Sequence, residues 1–412
     1  SNVRSTPHNL HIKHAFSTQR RTAEDDNKHT PFGSLGSSLY SLATKGCFDV
    51  TEKSQPMALD CIDRVMHHRT RTGIAQHTPF NIADFGSADG GTSIALIHSL
   101  IEHIRNDLHH RDTAIQILYE DQPGNDWHSL FNNVYNRNHN KLGIDPSLYF
   151  TQQFDNVYVL CSGSSFYQQC FMHNSLDFIF SSTAMHWLSS IPCAIPNALH
   201  SCVLSDDDSV KRKYAKQAAK DWNTILFHRS SELRDGGRML VVNFCVDDDG
   251  QYLGHTKQHE TVNMHALFAQ LWLNLVDDGK ITLDEFANTN FVNHYRSLAE
   301  MQTFDEETIP LRMLDLKSDV VRCPFHEDLL QNDNINLTAT EYASRFIPSL
   351  RTWSNSTFMS GLSDRRSETE KKEIVDTFFN SYHDHIVKNP ARHAMDYVHG
   401  YAVFEKMQTQ SI

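Results

Sequence analysis

The residues best placed to do chemistry fall in four short clusters, each at the end of an apolar run. The first is Asp84-Phe85-Gly86-Ser87-Ala88-Asp89-Gly90-Gly91, a glycine-rich turn carrying two acids. Glycines in such a turn let backbone N–H groups approach a ligand closely. The spacing is neither GxGxxG nor that of a P-loop with its lysine. The second cluster is Tyr119-Glu120-Asp121-Gln122. An acid at a strand end can accept hydrogen bonds from both hydroxyls of a ribose, and it can equally cap a following helix. The third is Gly163-Ser164-Ser165-Phe166-Tyr167, in which Ser165 could reach an adenine edge and Phe166 could lie on its face. The fourth runs from Ser182 and Thr183 to His186 and Trp187, bringing an imidazole and an indole to the same rim. A single His or Trp is more often core than ligand wall. Their place at a strand's carboxyl end, where open α/β sheets bind ligands, favours function.

These clusters require particular elements beneath them. Strands are expected at Asn81–Phe85, in AIQILYED, in DNVYVLCSG, in SLDFIFSST and in GGRMLVVNFC, the last after a helix around Tyr214–Leu233. A helix is expected at 58–70, where Leu59, Ile62, Val65 and Met66 recur at helical spacing. Strands alternating with helices imply an α/β fold with a mainly parallel sheet covered on both faces. The pattern divides the chain into a flexible arm at 1–35, an α/β core at 36–254 and a helical cap with C-terminal elements at 255–412. VNMHALFAQLWLNLVDDG and EIVDTFFNSYHDHIV read as cap helices, and NTNFVNHY and Ser363–Glu370 read as loops.

Composition narrows the function. The chain has 412 residues, a formal net charge of −13 and a hydrophobic fraction of 39%. The negative charge disfavours broad nucleic-acid binding, which needs Lys and Arg against phosphates. No apolar run approaches the roughly 20 residues of a bilayer span, so no membrane partner is expected. No secretory signal pattern is evident, and a cytoplasmic location is expected. The 26 histidines are scattered without zinc spacing, so a metal stays unknown at this level. The pair His109-His110, beside Arg105 and Arg111, reads as a solvated helix end. The eight cysteines include no CxxC and read as free, mostly buried thiols of a reducing compartment.

The stretches IADFGSADGGTS, EDQPGNDWHSLF, GSSFYQQCF, NSLDFIFSSTAMHWLSSIP and LRDGGRMLVV resemble, in order and spacing, the SABATH family of methyltransferases. Weaker likeness continues through DDGKITLDEFANTNFVNHY to DYVHGYAVFEK, so the resemblance spans about 38–407. It implies a Rossmann-like class I methyltransferase core with a helical cap, S-adenosylmethionine as cofactor with S-adenosylhomocysteine as product, a small-molecule substrate and a homodimer. Carried over by position, Thr44, Asp84, Gly86, Asp121, Gln122, Ser165, Phe166 and Ser182 would line the cofactor site. Cys47, Thr183, His186, Trp187, His265 and Tyr295 would line the substrate pocket.

The departures bear on substrate. In YSLATKGC the family's carboxylate-holding Gln is replaced by Cys47, a poor hydrogen-bond donor. His186 is the substitute donor suggested here. His265 stands where several relatives carry Trp. A carboxylate is already ionised near neutral pH, so methyl transfer to it needs positioning and no general base. The function implied is methyl-ester formation on a small acid, with N-methylation of a heteroaromatic acid as the alternative. A dinucleotide-dependent oxidoreductase and a catalytically silent binding protein are the readings outside this class.

Overall fold

The structure, a computed structural model, describes residues 32–74, 78–108, 110–206, 208–330 and 337–408. Most of the arm expected at 1–35, and His109, lie outside the described residues.

Eight strands build one sheet: β1 (Phe80–Phe85), β2 (Ile115–Asp121), β3 (Val157–Gly163), β4 (Leu176–Ser182), β5 (Leu233–Val246), β6 (Arg296–Ser297), β7 (Leu311–Val321) and β8 (Tyr397–Lys406). Their order is β3-β2-β1-β4-β5-β8-β7, with β6 paired to the end of β5. Neighbours from β3 through β5 run parallel. β8 runs antiparallel to both β5 and β7. The sheet is thus mainly parallel, with antiparallel strands at one side. β1 is buried at every position, as a central parallel strand covered on both faces must be.

The helix Lys45–Thr72 packs along this sheet. Its buried positions Val50, Ser54, Ala58, Cys61, Ile62, Val65 and Arg69 recur at three- and four-residue spacing. It ends where Gly73 adopts φ 69° and donates to the carbonyls of Arg69 and Thr70. Arg69 then pairs with Asp177 of β4, whose other carboxylate oxygen accepts from Arg234 at 2.9 Å and from the Asn81 N–H at 2.8 Å. This buried knot ties the helix to three strands at the end of the sheet away from the ligand clusters. Arg105, expected in a solvated helix end, is instead buried, and its guanidinium donates to the carbonyls of His110, Arg111 and Asp155.

The C-terminal part supplies helices Met264–Asp277, Leu283–Asn288, Ala339–Gly361 and Glu368–Lys388. Their shared interior is aromatic: Phe268, Trp272, Phe291, Phe358, Phe378 and Tyr382 make stacked, edge-on and tilted ring contacts at 4.2–6.0 Å. The capping boxes Thr282/Glu285 and Thr338/Glu341 start two of these helices. Between and after the helices, β7 and β8 return to the sheet. The C-terminal half is therefore stitched into the core as well as laid over it. Among the described residues, no helix is long and apolar enough to cross a membrane.

Candidate active site

The carboxyl ends of β1, β2 and β4 converge. Asp84 is the penultimate residue of β1, Asp121 closes β2 and Ser182 closes β4, with Asp84 opposite Tyr119 and Phe180 in the ladder. Between β1 and the following helix the chain turns at Gly86, with φ 73°. A Cβ there would lie 2.2 Å from the Cβ of Ala184, so only glycine fits both the dihedral and the space. Ala88 follows with φ 48°, a conformation that L-residues rarely adopt. Its N–H donates to Asp121 at 2.7 Å, and the Gln122 N–H donates to the other carboxylate oxygen at 2.7 Å.

Both acids are held in an unusual state. Burial raises the Asp84 carboxyl to about 7, a Ser93 hydrogen bond opposing and the Asp121 charge adding to the rise. Burial raises Asp121 to about 6 against its two backbone hydrogen bonds. Among the described residues neither forms an ion pair. Two acids without a basic partner suit a ligand that brings hydroxyl donors and positive charge. S-adenosylmethionine carries a ribose, an ammonium and a sulfonium, so the donor set and the glycine-lined approach fit it. Asp89 is otherwise employed: it accepts from the Ser41 N–H at 3.0 Å and from the Ser41 hydroxyl, fastening the short N-terminal helix Leu39–Ala43 over the turn.

Ser165 and Phe166 follow β3 on a partly buried loop. Phe166 packs on the core cluster of Phe85 and Met185, with its ring 4.7 Å from that of Tyr167. The Phe166 carbonyl accepts from the buried Arg229 at 2.9 Å.

A cavity lies next along the same rim. Its walls bring together Cys47, Thr183, His186, Trp187 and Tyr295, with Thr44 beside them. Thr44, assigned by position to the cofactor side, faces this cavity as well. Thr183 has φ 59°, a strained conformation for a β-branched residue. Its N–H donates to Val242 at 2.7 Å, and its hydroxyl lies 3.1 Å from Nε2 of the buried His399. Burial lowers His399 to about 3, so it stays neutral. Burial pushes the Cys47 thiol up to about 11, so it stays protonated, 3.8 Å from the Tyr40 hydroxyl.

His265 requires a correction. It does not line the cavity. It is 1% exposed and stands behind Tyr295, with Nε2 3.1 Å from the Tyr295 hydroxyl. Burial lowers it to about 3, so it carries no charge toward the substrate. The cap helix that bears it is held at this distance by the rings of Tyr295, Phe291 and Trp353.

The remaining walls escaped the sequence reading: Tyr40, Phe244, Asn293, Trp353, Met395 and Tyr397. Tyr397 and Phe244 lie on β8 and β5, stacked at 5.7 Å. Gly46 makes room for Tyr397, since a Cβ at Gly46 would fall 2.3 Å from its ring. The one available signal was the expected strand GGRMLVVNFC, whose carboxyl end carries Phe244.

One group of metal-ligand composition occurs among the described residues. His200, Cys202 and His265 each bring a nitrogen or sulfur within 4.8 Å of the others. The Nδ1 of His200 already accepts the Cys202 N–H at 2.9 Å. The neutral ring therefore carries its hydrogen on Nε2, and neither nitrogen can ligate without breaking that bond.

The chain matches the family described as SAM dependent carboxyl methyltransferase over residues 19–407. A jasmonate O-methyltransferase of Arabidopsis thaliana is 26% identical over 246 residues, 55% of this chain and 61% of the relative. A benzoic acid/salicylic acid carboxyl methyltransferase of Petunia hybrida is 25% identical over 231 residues, 55% and 62% of the two chains. A probable caffeine synthase of Coffea canephora is 26% identical over 262 residues, 58% and 62%. The chain thus spans less than two thirds of the length of these three relatives. A solved loganic acid methyltransferase with SAH has a TM-score of 0.72 at 17% identity, covering 93% of this chain and 100% of that one, and so shares the fold.

Proposed function

Because the chain belongs to the S-adenosylmethionine-dependent carboxyl methyltransferase family, we propose that it methylates the carboxylate of a small organic acid, forming a methyl ester. The observation that carries this reading is the path of the chain at the end of β4. Within six residues it passes from Ser182, at the end of the strand that pairs with the strand of Asp84, to Thr183, His186 and Trp187 in the walls of the cavity. A cofactor held by the acids and an acceptor held in the cavity would then meet along one rim.

Bound S-adenosylmethionine supplies an electrophilic methyl carbon on a sulfonium. Asp121, oriented by the N–H groups of Ala88 and Gln122, accepts the ribose hydroxyls. Asp84 places negative charge in a buried turn. Ser165 and Phe166 border the adenine, and Gly86 admits the backbone to close approach. On the acceptor side, no Asp, Glu, Lys or Arg among the described residues lines the cavity. The acid must be held by neutral donors such as the Trp187 indole and the imidazole and phenols around it. Since the carboxylate attacks with a lone pair it already has, no residue is assigned as a base. Catalysis comes from alignment and exclusion of water.

N-methylation is the second reading, favoured by the likeness to a caffeine synthase and to a 3,7-dimethylxanthine N-methyltransferase of Coffea arabica. Incubation with methyl-labelled S-adenosylmethionine and a panel of small acids tests the two. A labelled product that mild alkali returns to the acid supports the ester. An alkali-stable product, neutral where a ring N–H gave up its proton and cationic where a pyridine-type nitrogen was methylated, replaces it with N-methylation. We further propose a cytoplasmic homodimer, consistent with eight free cysteines, its assembly to be read by light scattering.

A further inference from the structure

Asn293 and Trp187 form an isolated antiparallel bridge. The flanking hydrogen bonds are His294 N–H to the His186 carbonyl, at 3.0 Å, and Leu188 N–H to the Val292 carbonyl, at 2.8 Å. That pattern makes Trp187 and Asn293 a non-hydrogen-bonded pair, whose side chains stand on one face at closest approach. Both line the cavity. Asn293 is 1% exposed, and neither its amide oxygen nor its amide nitrogen makes a hydrogen bond of ordinary geometry among the described residues. A buried amide left so carries a desolvation cost that a ligand can recover.

Resting on the carboxylate-acceptor reading above, we propose that Asn293 is a substrate-binding residue whose Nδ2–H, beside the Trp187 indole, holds the acceptor's carboxylate. It restores the amide donor that Cys47 does not provide. His200 sets which end of the amide faces the cavity. Its Nδ1 accepts the Cys202 N–H, so its hydrogen sits on Nε2, beside the Asn293 amide. On ligand binding that hydrogen would engage the amide oxygen, which has no hydrogen bond of ordinary geometry among the described residues, and leave the NH2 group directed at the ligand. The relay runs from Cys202 N–H through His200 and Asn293 to the carboxylate, each member donating onward.

Benzoate and benzamide, isosteres that differ in charge and in donor capacity, are the probes. Each is titrated by calorimetry into the S-adenosylhomocysteine-loaded protein. The wild type is expected to prefer benzoate. Asn293→Asp replaces the donor with a negative acceptor and should reverse the preference, because benzamide can donate where benzoate is repelled. Asn293→Ala should weaken benzoate binding about 10-fold or more with little change for benzamide. This variant decides the question if the aspartate form does not fold, as judged by its S-adenosylhomocysteine affinity. Unchanged benzoate preference in a variant that still binds the cofactor product overturns the role of Asn293. A wild type that shows no preference, or binds neither probe, overturns it too. The alkali test of the product judges the ester reading separately.

Discussion

The Tyr167 hydroxyl donates to the carbonyl of Trp187 at 2.6 Å, joining the loop after β3 to the rim after β4. Through this bond the residues assigned to adenine and those facing the cavity share one support. Tyr167→Phe keeps the ring and deletes the bond, removing the phenolic donor from a partly buried carbonyl. A stability loss of about 1–3 kcal/mol is expected in chemical denaturation. The acceptor's KM should rise with a smaller change in cofactor affinity. If neither stability nor KM moves, the two sites are not mechanically joined here.

Asp121 should be the strongest single contributor to cofactor affinity among the strand-end residues. Asp121→Ala removes charge-assisted bonds to the ribose and should cost about 1.5–3 kcal/mol of S-adenosylmethionine binding. Equal affinity in a folded variant would move the ribose elsewhere.

The raised carboxyls of Asp84 and Asp121 give a pH dependence with a definite sign. Their unfolded values lie near 4, and their folded values are about 7 and about 6. Between these limits the folded, ligand-free protein binds more protons than the unfolded chain. Stability from these two groups is therefore present below about pH 4 and lost as pH rises through 6 to 7. A cationic cofactor favours the ionised forms, so its affinity should increase over the same window and binding should release protons. Calorimetry in buffers of different ionisation enthalpy measures that release. Uptake of protons, or affinity falling with pH, would contradict the assignment of both acids.

How far the sequence reached depended on the range of the interaction. The five parallel strands were legible because each is a short apolar run ending in or beside Gly, Ser or an acid. β7 was not, because LRMLDLKSDVV is an edge strand whose charged residues Arg312, Asp315 and Lys317 face water and break the apolar signal. β8 became a strand only by inserting between β5 and β7, a pairing over long sequence separation. His265 was read as pocket wall because a linear motif cannot tell a residue at the surface of a cavity from the one supporting it. Asn293 gave no signal, since an Asn in a loop acquires meaning only from the bridge to Trp187.

His265 should therefore act through Tyr295. His265→Leu and Tyr295→Phe each delete the same hydrogen bond, 3.1 Å between Nε2 and the hydroxyl. Their effects on acceptor kcat/KM should be non-additive, with a coupling of about 0.5–3 kcal/mol in a double-mutant cycle. Cofactor affinity should hold in all three variants. Additive losses would mean that each ring touches the acceptor independently.

The glycine turn offers the sharpest structural test. Gly86→Ala meets two separate penalties. One is the left-handed backbone at φ 73°, worth about 1–2 kcal/mol for a residue with a Cβ. The other is the overlap with the Ala184 Cβ, for which overpacking costs about 1–3 kcal/mol. Ala184→Gly removes the second penalty and leaves the first. The single Gly86→Ala variant should thus lose about 2–5 kcal/mol together with most cofactor affinity. The Gly86→Ala, Ala184→Gly pair should lose less than the sum of its members, recovering the overlap share while the dihedral cost persists. Denaturant titration of the four proteins of the cycle reads this directly. If Ala184→Gly gives no relief, the turn tolerates the added methyl by shifting as a unit. The reason for glycine at this position would then be the backbone conformation alone.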